Sequence, residues 1–156
     1  MNKGFSLIEM IVVLGILSVL IGASLVALIP FGEKRNVLDD SRSLAVEIRQ
    51  VVNKATAVEL PDGCSGLSGY LIEFGVGENE RSIRITAECN VGSEIKVIEM
   101  LRHTDFNNSP TPMTIKVPEG TTTEQRIDVC GSGHLYYLEV GVSGVVSGPK
   151  YDSEGC

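Results

Sequence analysis

Histidine occurs only at His103 and His134 in this 156-residue chain, and no Gly-x-Ser-x-Gly, His-Glu-x-x-His or phosphate-loop spacing is present. A nucleophilic triad or a zinc protease needs a base held beside convergent partners, so the chain is read as a non-enzyme with no cofactor. Cysteine is absent before Cys64, and Cys64, Cys89, Cys130 and Cys156 stand 25 to 41 residues apart. Without a close Cys-x-x-Cys pair a zinc site is disfavoured. Asp105, Asn107 and Asn108 lack the glutamate-terminated spacing of an EF-hand and are read as turn residues, and no metal is expected. Basic residues are outnumbered, 13 against 20, for a net charge of −7. DNA is gripped through clustered Lys and Arg, and the tail from Gly148 to Cys156 offers one lysine beside two acids. A nucleic-acid partner is therefore not expected.

Charge is also missing from a long internal stretch. Met10 to Gly32 carries no ionisable side chain, and the whole run from Phe5 to Gly32 carries one, Glu9. As a helix rising 1.5 Å per residue that run reaches roughly 40 Å, enough to cross a bilayer. A carboxylate at the centre of a spanning helix costs about 2.5 to 3.5 kcal/mol, so something must offset Glu9. Lys3 precedes the run and Lys34 and Arg35 follow it, which leaves charge counting ambiguous about orientation. The very short leader favours an N-terminus in the cytoplasm. A cleaved secretory signal, with small residues at Gly22-Ala23-Ser24, would keep a charge-free core of about 7 to 15 residues, which this run does not. A plain single-pass anchor leaves Gly4 and Glu9 unexplained.

Gly4-Phe5-Ser6-Leu7-Ile8-Glu9, followed by Met10-Ile11-Val12-Val13-Leu14-Gly15-Ile16-Leu17, resembles the class III leader and first helix of type IV pilins and type II secretion pseudopilins. The resemblance implies a prepilin peptidase that cuts after Gly4 and methylates the new N-terminal Phe5. It implies that the helix stays as the anchor and later packs into a filament. Cleavage creates an α-amino group, largely charged at neutral pH and costly in an apolar core. Glu9, four residues along, supplies the anion for an amine of its own chain or of a neighbour, and the family implies the neighbouring subunit. The implied partners are other pilin or pseudopilin subunits, membrane lipid, and an inner-membrane assembly platform with its cytoplasmic ATPase. The expected location is the inner membrane, single-pass, with the C-terminal head extracytoplasmic, and then the pilus or pseudopilus. Losing Met1 to Gly4 removes Lys3 and leaves 12 basic residues against 20 acidic ones.

The expected divisions are 1–4 leader, 5–32 transmembrane and filament-core helix, 33–60 amphipathic helix and 61–156 head. Pro30 predicts a kink or local melting. Beyond it Ser41, Leu44, Ile48, Val51, Ala55 and Val58 recur at steps of three and four, the mark of one buried helix face. From Pro61 the pattern changes to strands. Tyr70, Ile72 and Phe74 alternate with Leu71 and Glu73, and Ile83, Ile85 and Ala87 with Arg84, Thr86 and Glu88. Gly75 to Glu80 reads as the hairpin loop between them and Phe106 to Pro112 as another loop. Further strands are expected at Ile95–Leu101, Met113–Val117, Arg126–Val129, Leu135–Val140 and Val142–Val146. The fold class is α+β, a long N-terminal helix packed on an antiparallel β-sheet head. All four cysteines fall in that head, so two disulfides in an oxidising compartment are expected. Three pairings are open. Cys64 with Cys89 and Cys130 with Cys156 is preferred, because the first would flank a hairpin and the second would tie down the C-terminus.

The segments Ser41 to Arg49, Gly69 to Phe74 and a final Val140–Val146 hairpin around Gly144 make the head similar to H-type minor pseudopilins and FimT-like minor pilins. That likeness implies a minor subunit. The competing reading is a membrane-anchored extracytoplasmic ligand- or DNA-binding module, in which the helix is only a tether.

Overall fold

A computed structural model describes residues 6–76, 81–90, 95–99 and 104–156, and their side chains except those of 23–30 and 95. Helix α1 runs Leu7–Thr56, and helical backbone continues through Pro30, so local melting there is not found. Proline removes one hydrogen bond, and the bonds of the adjoining turns carry the helix past it. The chain divides into two compact units, Met1–Glu33 and Lys34–Cys156.

Within the second unit, α1 turns one face inward. Val37, Leu44, Ala45, Ile48, Val51 and Ala55 are buried, and the hydroxyl of Ser41, also buried, donates to the Val37 carbonyl at 2.7 Å. The helix ends in a turn where Glu59 N–H donates to Lys54 O at 3.0 Å and Val58 N–H to Ala55 O at 3.2 Å. This six-to-one, five-to-two pair is the Schellman arrangement, in which the five-to-two donor takes the left-handed conformation. That residue is Val58, at φ 53° and half exposed, so it does not continue the buried stripe as expected. Glycine would sit there without strain, and a β-branched residue does not.

Eight strands follow: β1 Leu67–Val76, β2 Ser82–Cys89, β3 Ile95–Glu99, β4 Asp105–Asn107, β5 Met113–Lys116, β6 Gln125–Gly131, β7 His134–Val140 and β8 Val146–Asp152. They form two antiparallel four-stranded sheets, in the orders β3-β2-β1-β5 and β4-β6-β7-β8. Alternation decides which side chains turn inward. Tyr70 and Ile72 lie opposite Ala87 and Ile85 on one side of β1 and Ile115 and Met113 on the other, and all are buried. Ile127, Val129, Tyr136, Leu138, Val140 and Val146 do the same for the second sheet, and both sets join the α1 face in one core. Each fully buried Leu or Ile in it contributes about 2 kcal/mol.

Three strand expectations need correction. Val142–Val146 is not a strand: Gly141 N–H donates to Val145 O at 2.9 Å and Gly144, at φ 74°, donates to Gly141 O at 2.8 Å, closing a turn. Strand β8 instead occupies Val146–Asp152, where Gly and Pro read as tail. The Phe106–Pro112 loop overlaps β4, a three-residue edge strand held by Phe106 packing edge-on to Phe74 at 5.6 Å. Residues 77–80 of the expected hairpin loop, 100–101 of an expected strand and His103 lie outside the described residues.

Candidate assembly site

The first turn of α1 is closed by a reciprocal pair. Ser6 N–H donates to Glu9 Oε2 at 3.0 Å, and Glu9 N–H lies 3.4 Å from Ser6 Oγ and 3.1 Å from Ser6 O. This is a capping box, in which a serine before the helix and a glutamate three residues later satisfy each other's backbone donors. A carboxylate in the first turn is also favoured by the helix dipole. Glu9 therefore has a positioned geometry within its own chain. Ser6 was not singled out from the sequence, although Ser-x-x-Glu ahead of an apolar run is a legible cap signal. Gly4 and Phe5 lie outside the described residues.

From Met10 to Gly22 the helix is uncharged all round, with Ser18 its one hydroxyl. Every described side chain from Leu7 to Gly22 is exposed, Leu7 at 79%, and Ser18 returns its hydroxyl to Leu14 O at 2.7 Å. Gly15, Gly22 and Gly32 have nothing within 4 Å of a would-be Cβ. A helix without a polar face asks for a non-aqueous or helical neighbour on every side. Among the described residues no helix is long and apolar enough to cross a membrane. The described side chains of the run, 7–22, reach only about 24 Å of a hydrocarbon core of roughly 30 Å.

Residues 1–25 match the family model of the prokaryotic N-terminal methylation motif. No curated protein and no solved structure matches the chain. The motif supports a type IV pilin-like subunit, a structural rather than an enzymatic protein. Its leader implies processing by prepilin peptidase and assembly with other pilins. The match ends at residue 25, ahead of the head.

In the head, Cys64 and Cys89 are joined with Cα atoms 5.5 Å apart, linking the approach to β1 with the end of β2. Cys130 of β6 is joined to the terminal Cys156 at 5.9 Å. Among the described residues no cluster of His, Cys, Asp or Glu is placed to hold a metal. Asp105 faces Arg81 at 2.5 Å, Asn107 is in β4, and Asn108 takes φ 63° in the turn beyond it. His134 lies beside Tyr151, ring centroids 6.3 Å apart.

Basic charge beyond the apolar run is largely committed. Among the 11 described Lys and Arg residues seven pair with acids: Arg35, Arg42, Arg81, Arg84, Lys96, Arg126 and Lys150. Arg126 reaches Asp128 at 2.6 Å and Asp152 at 2.8 Å while stacking 4.0 Å over Tyr137. Its hydrogen bonds to Asp128 and Asp152 raise its pKa further. The same bond holds the Asp152 carboxyl below the usual range, and Lys150, at 2.6 Å, does so for Glu139. Arg49 donates to the Val146 carbonyl at 2.9 Å, tying the helix to the start of β8.

Proposed function

We propose that this chain is a minor structural subunit of a type IV pilus or a type II secretion pseudopilus. Prepilin peptidase cuts between Gly4 and Phe5 and methylates Phe5. The 5–32 helix holds the subunit in the inner membrane with its head outside the cytoplasm, and then packs among its neighbours in the filament. Glu9 is the assembly charge, neutralising the Phe5 amine of an adjacent subunit. The observation that carries the reading is the methylation motif over residues 1–25, together with a helix whose described side chains from Leu7 to Gly22 hold one charge, Glu9.

The chemistry is electrostatic. Before assembly the Glu9 carboxylate accepts the Ser6 N–H. Its second oxygen and remaining lone pairs can accept a further donor, and an ammonium group brought beside it in an apolar filament core offsets two burial costs at once. No nucleotide motif is present, so the work of extraction comes from outside the chain.

Expression with a prepilin peptidase, followed by intact-mass analysis, should show loss of residues 1–4 and one added methyl group. Glu9→Ala should be cleaved normally and fail to enter filaments. Normal co-assembly of Glu9→Ala would sink the assigned role.

A further inference from the structure

The inward face of α1 does not begin with an apolar residue. Stepping back from Ser41 through Val37 by four and three residues leads to Lys34, half-buried at the head of the stripe. Its Nζ sits 4.0 Å from the centroid of the Tyr151 ring. Tyr151 lies on β8, an edge strand, and rests edge-on against the buried Tyr136 at 5.3 Å, with the His134 ring 6.3 Å away. Tyr136 belongs to the core, whereas Tyr151 is 46% exposed. A ring anchored at one edge and wet at the other is thus capped by an ammonium group.

Lys34 follows the last residue of the uncharged run, Gly32, by two positions, a helical rise of about 3 Å. The run reaches roughly 40 Å and a bilayer with its headgroups about 40 to 45 Å, so a chain held by that run has Lys34 in the headgroup layer. Lysine and tyrosine are the side chains suited to that layer, since each keeps an apolar body against hydrocarbon and a polar tip at the phosphates. Arg35 beside it is exposed and lies 3.9 Å from Asp39, whereas Lys34 is directed at the head.

We propose that Lys34 and Tyr151 form a headgroup-contact rim, through which the head of the anchored subunit rests on phospholipid phosphates before it is extracted. This rests on the reading of residues 5–32 as a membrane anchor. An acidic head would otherwise be pushed from an anionic bilayer, and the rim gives it one cation–ring contact at the depth where phosphates lie.

The sequence contains no tryptophan, so Tyr151→Trp introduces a single tryptophan, whose emission is excited apart from that of the tyrosines at the red edge of their absorption. It would be reconstituted in phosphatidylcholine/phosphatidylglycerol vesicles with a nitroxide on the headgroups, beside Tyr137→Trp, which replaces a ring on the opposite face of β7 from Tyr136. The expected result is at least twofold stronger headgroup quenching at 151 than at 137, reduced at least twofold by Lys34→Gln and kept by Lys34→Arg. Lys34→Trp is a second probe of the same depth should Tyr151→Trp misfold. Flotation separates the two ideas. A chain that fails to float with the vesicles overturns the anchor and the rim with it, whereas a floating chain quenched equally at 151 and 137 overturns the rim alone.

Discussion

Gly144 and Gly133 have nearly the same backbone, φ 74° and 76°, but very different surroundings. A Cβ at Gly133, in the two-residue β6–β7 turn, meets nothing within 4 Å, whereas one at Gly144 would lie 2.3 Å from the Gly120 carbonyl oxygen and 3.0 Å from Val52 Cγ1. The obstructing oxygen is backbone, and its residue is pinned. Gly120 N–H donates to Lys116 O at 2.8 Å, and a Cβ on Gly120 would itself be 2.6 Å from Thr56 Cγ2. Both alanine substitutions carry the left-handed penalty of about 1 to 2 kcal/mol. Gly144→Ala adds overpacking of about 1 to 3 kcal/mol against atoms that cannot retreat. For a domain of this size each kcal/mol moves the melting temperature by roughly 3 to 5 °C, so Gly133→Ala should lower Tm by about 5 °C and Gly144→Ala by more than about 10 °C. All four tyrosines, Tyr70, Tyr136, Tyr137 and Tyr151, lie in the head, so tyrosine fluorescence of the full chain in detergent follows the head alone. Equal losses from the two variants would refute the steric argument, since their backbone strain is shared.

Val58→Gly relieves a β-branched residue from the left-handed position and should raise the denaturant midpoint by the equivalent of about 0.5 to 1 kcal/mol. Replacing Cys130 and Cys156 together with serine opens a loop of sequence separation 26 and should cost about 3 to 4 kcal/mol by chain entropy, read as a lower Tm that reductant no longer changes below the Cys64–Cys89 contribution. Asp152 and Glu139 have folded pKa values below their ordinary ones, so their stabilisation is complete above about pH 5 and is lost as pH falls through the depressed values. Denaturant midpoints between pH 7 and 2 should show that loss, and Arg126→Gln should remove the share belonging to Asp152. Ser6→Ala deletes one half of the capping box and should lower helix stability by about 1 kcal/mol without blocking cleavage, as hydrogen exchange and intact mass would show.

The helix stripe was readable because Leu44, Ile48, Val51 and Ala55 are apolar at helical spacing. Its start was not, because Asp40 and Lys34 lie on the same face and hydropathy discards both. Alternation located β1, β2, β6 and β7, where one side of the strand meets the core. It failed at the C-terminal end for a related reason. Val142 and Val145 are apolar but exposed on a turn, whereas β8 is written in Gly, Pro, Lys and Asp because it lies at an edge and its polar side chains pair outward with Arg126 and Glu139. Division into two sheets was not legible at all, since alternation reports a face and not which strand lies alongside. At the assembly site, Glu9 stood out because charge is so rare around it, whereas Ser6 was hidden by being ordinary.

The two disulfides also determine how the head would answer a pull. Helix α1 precedes Cys64, so tension entering along the helix meets no covalent crosslink until it has passed residue 63. Beyond that point the bridges span 25 and 26 residues, and each withholds roughly 80 to 90 Å of contour from extension. Force would therefore strip the helix from its sheets first, while β1 with β2 and β7 with β8 stay as two looped, inextensible blocks, shortening the slack that a loaded subunit can release.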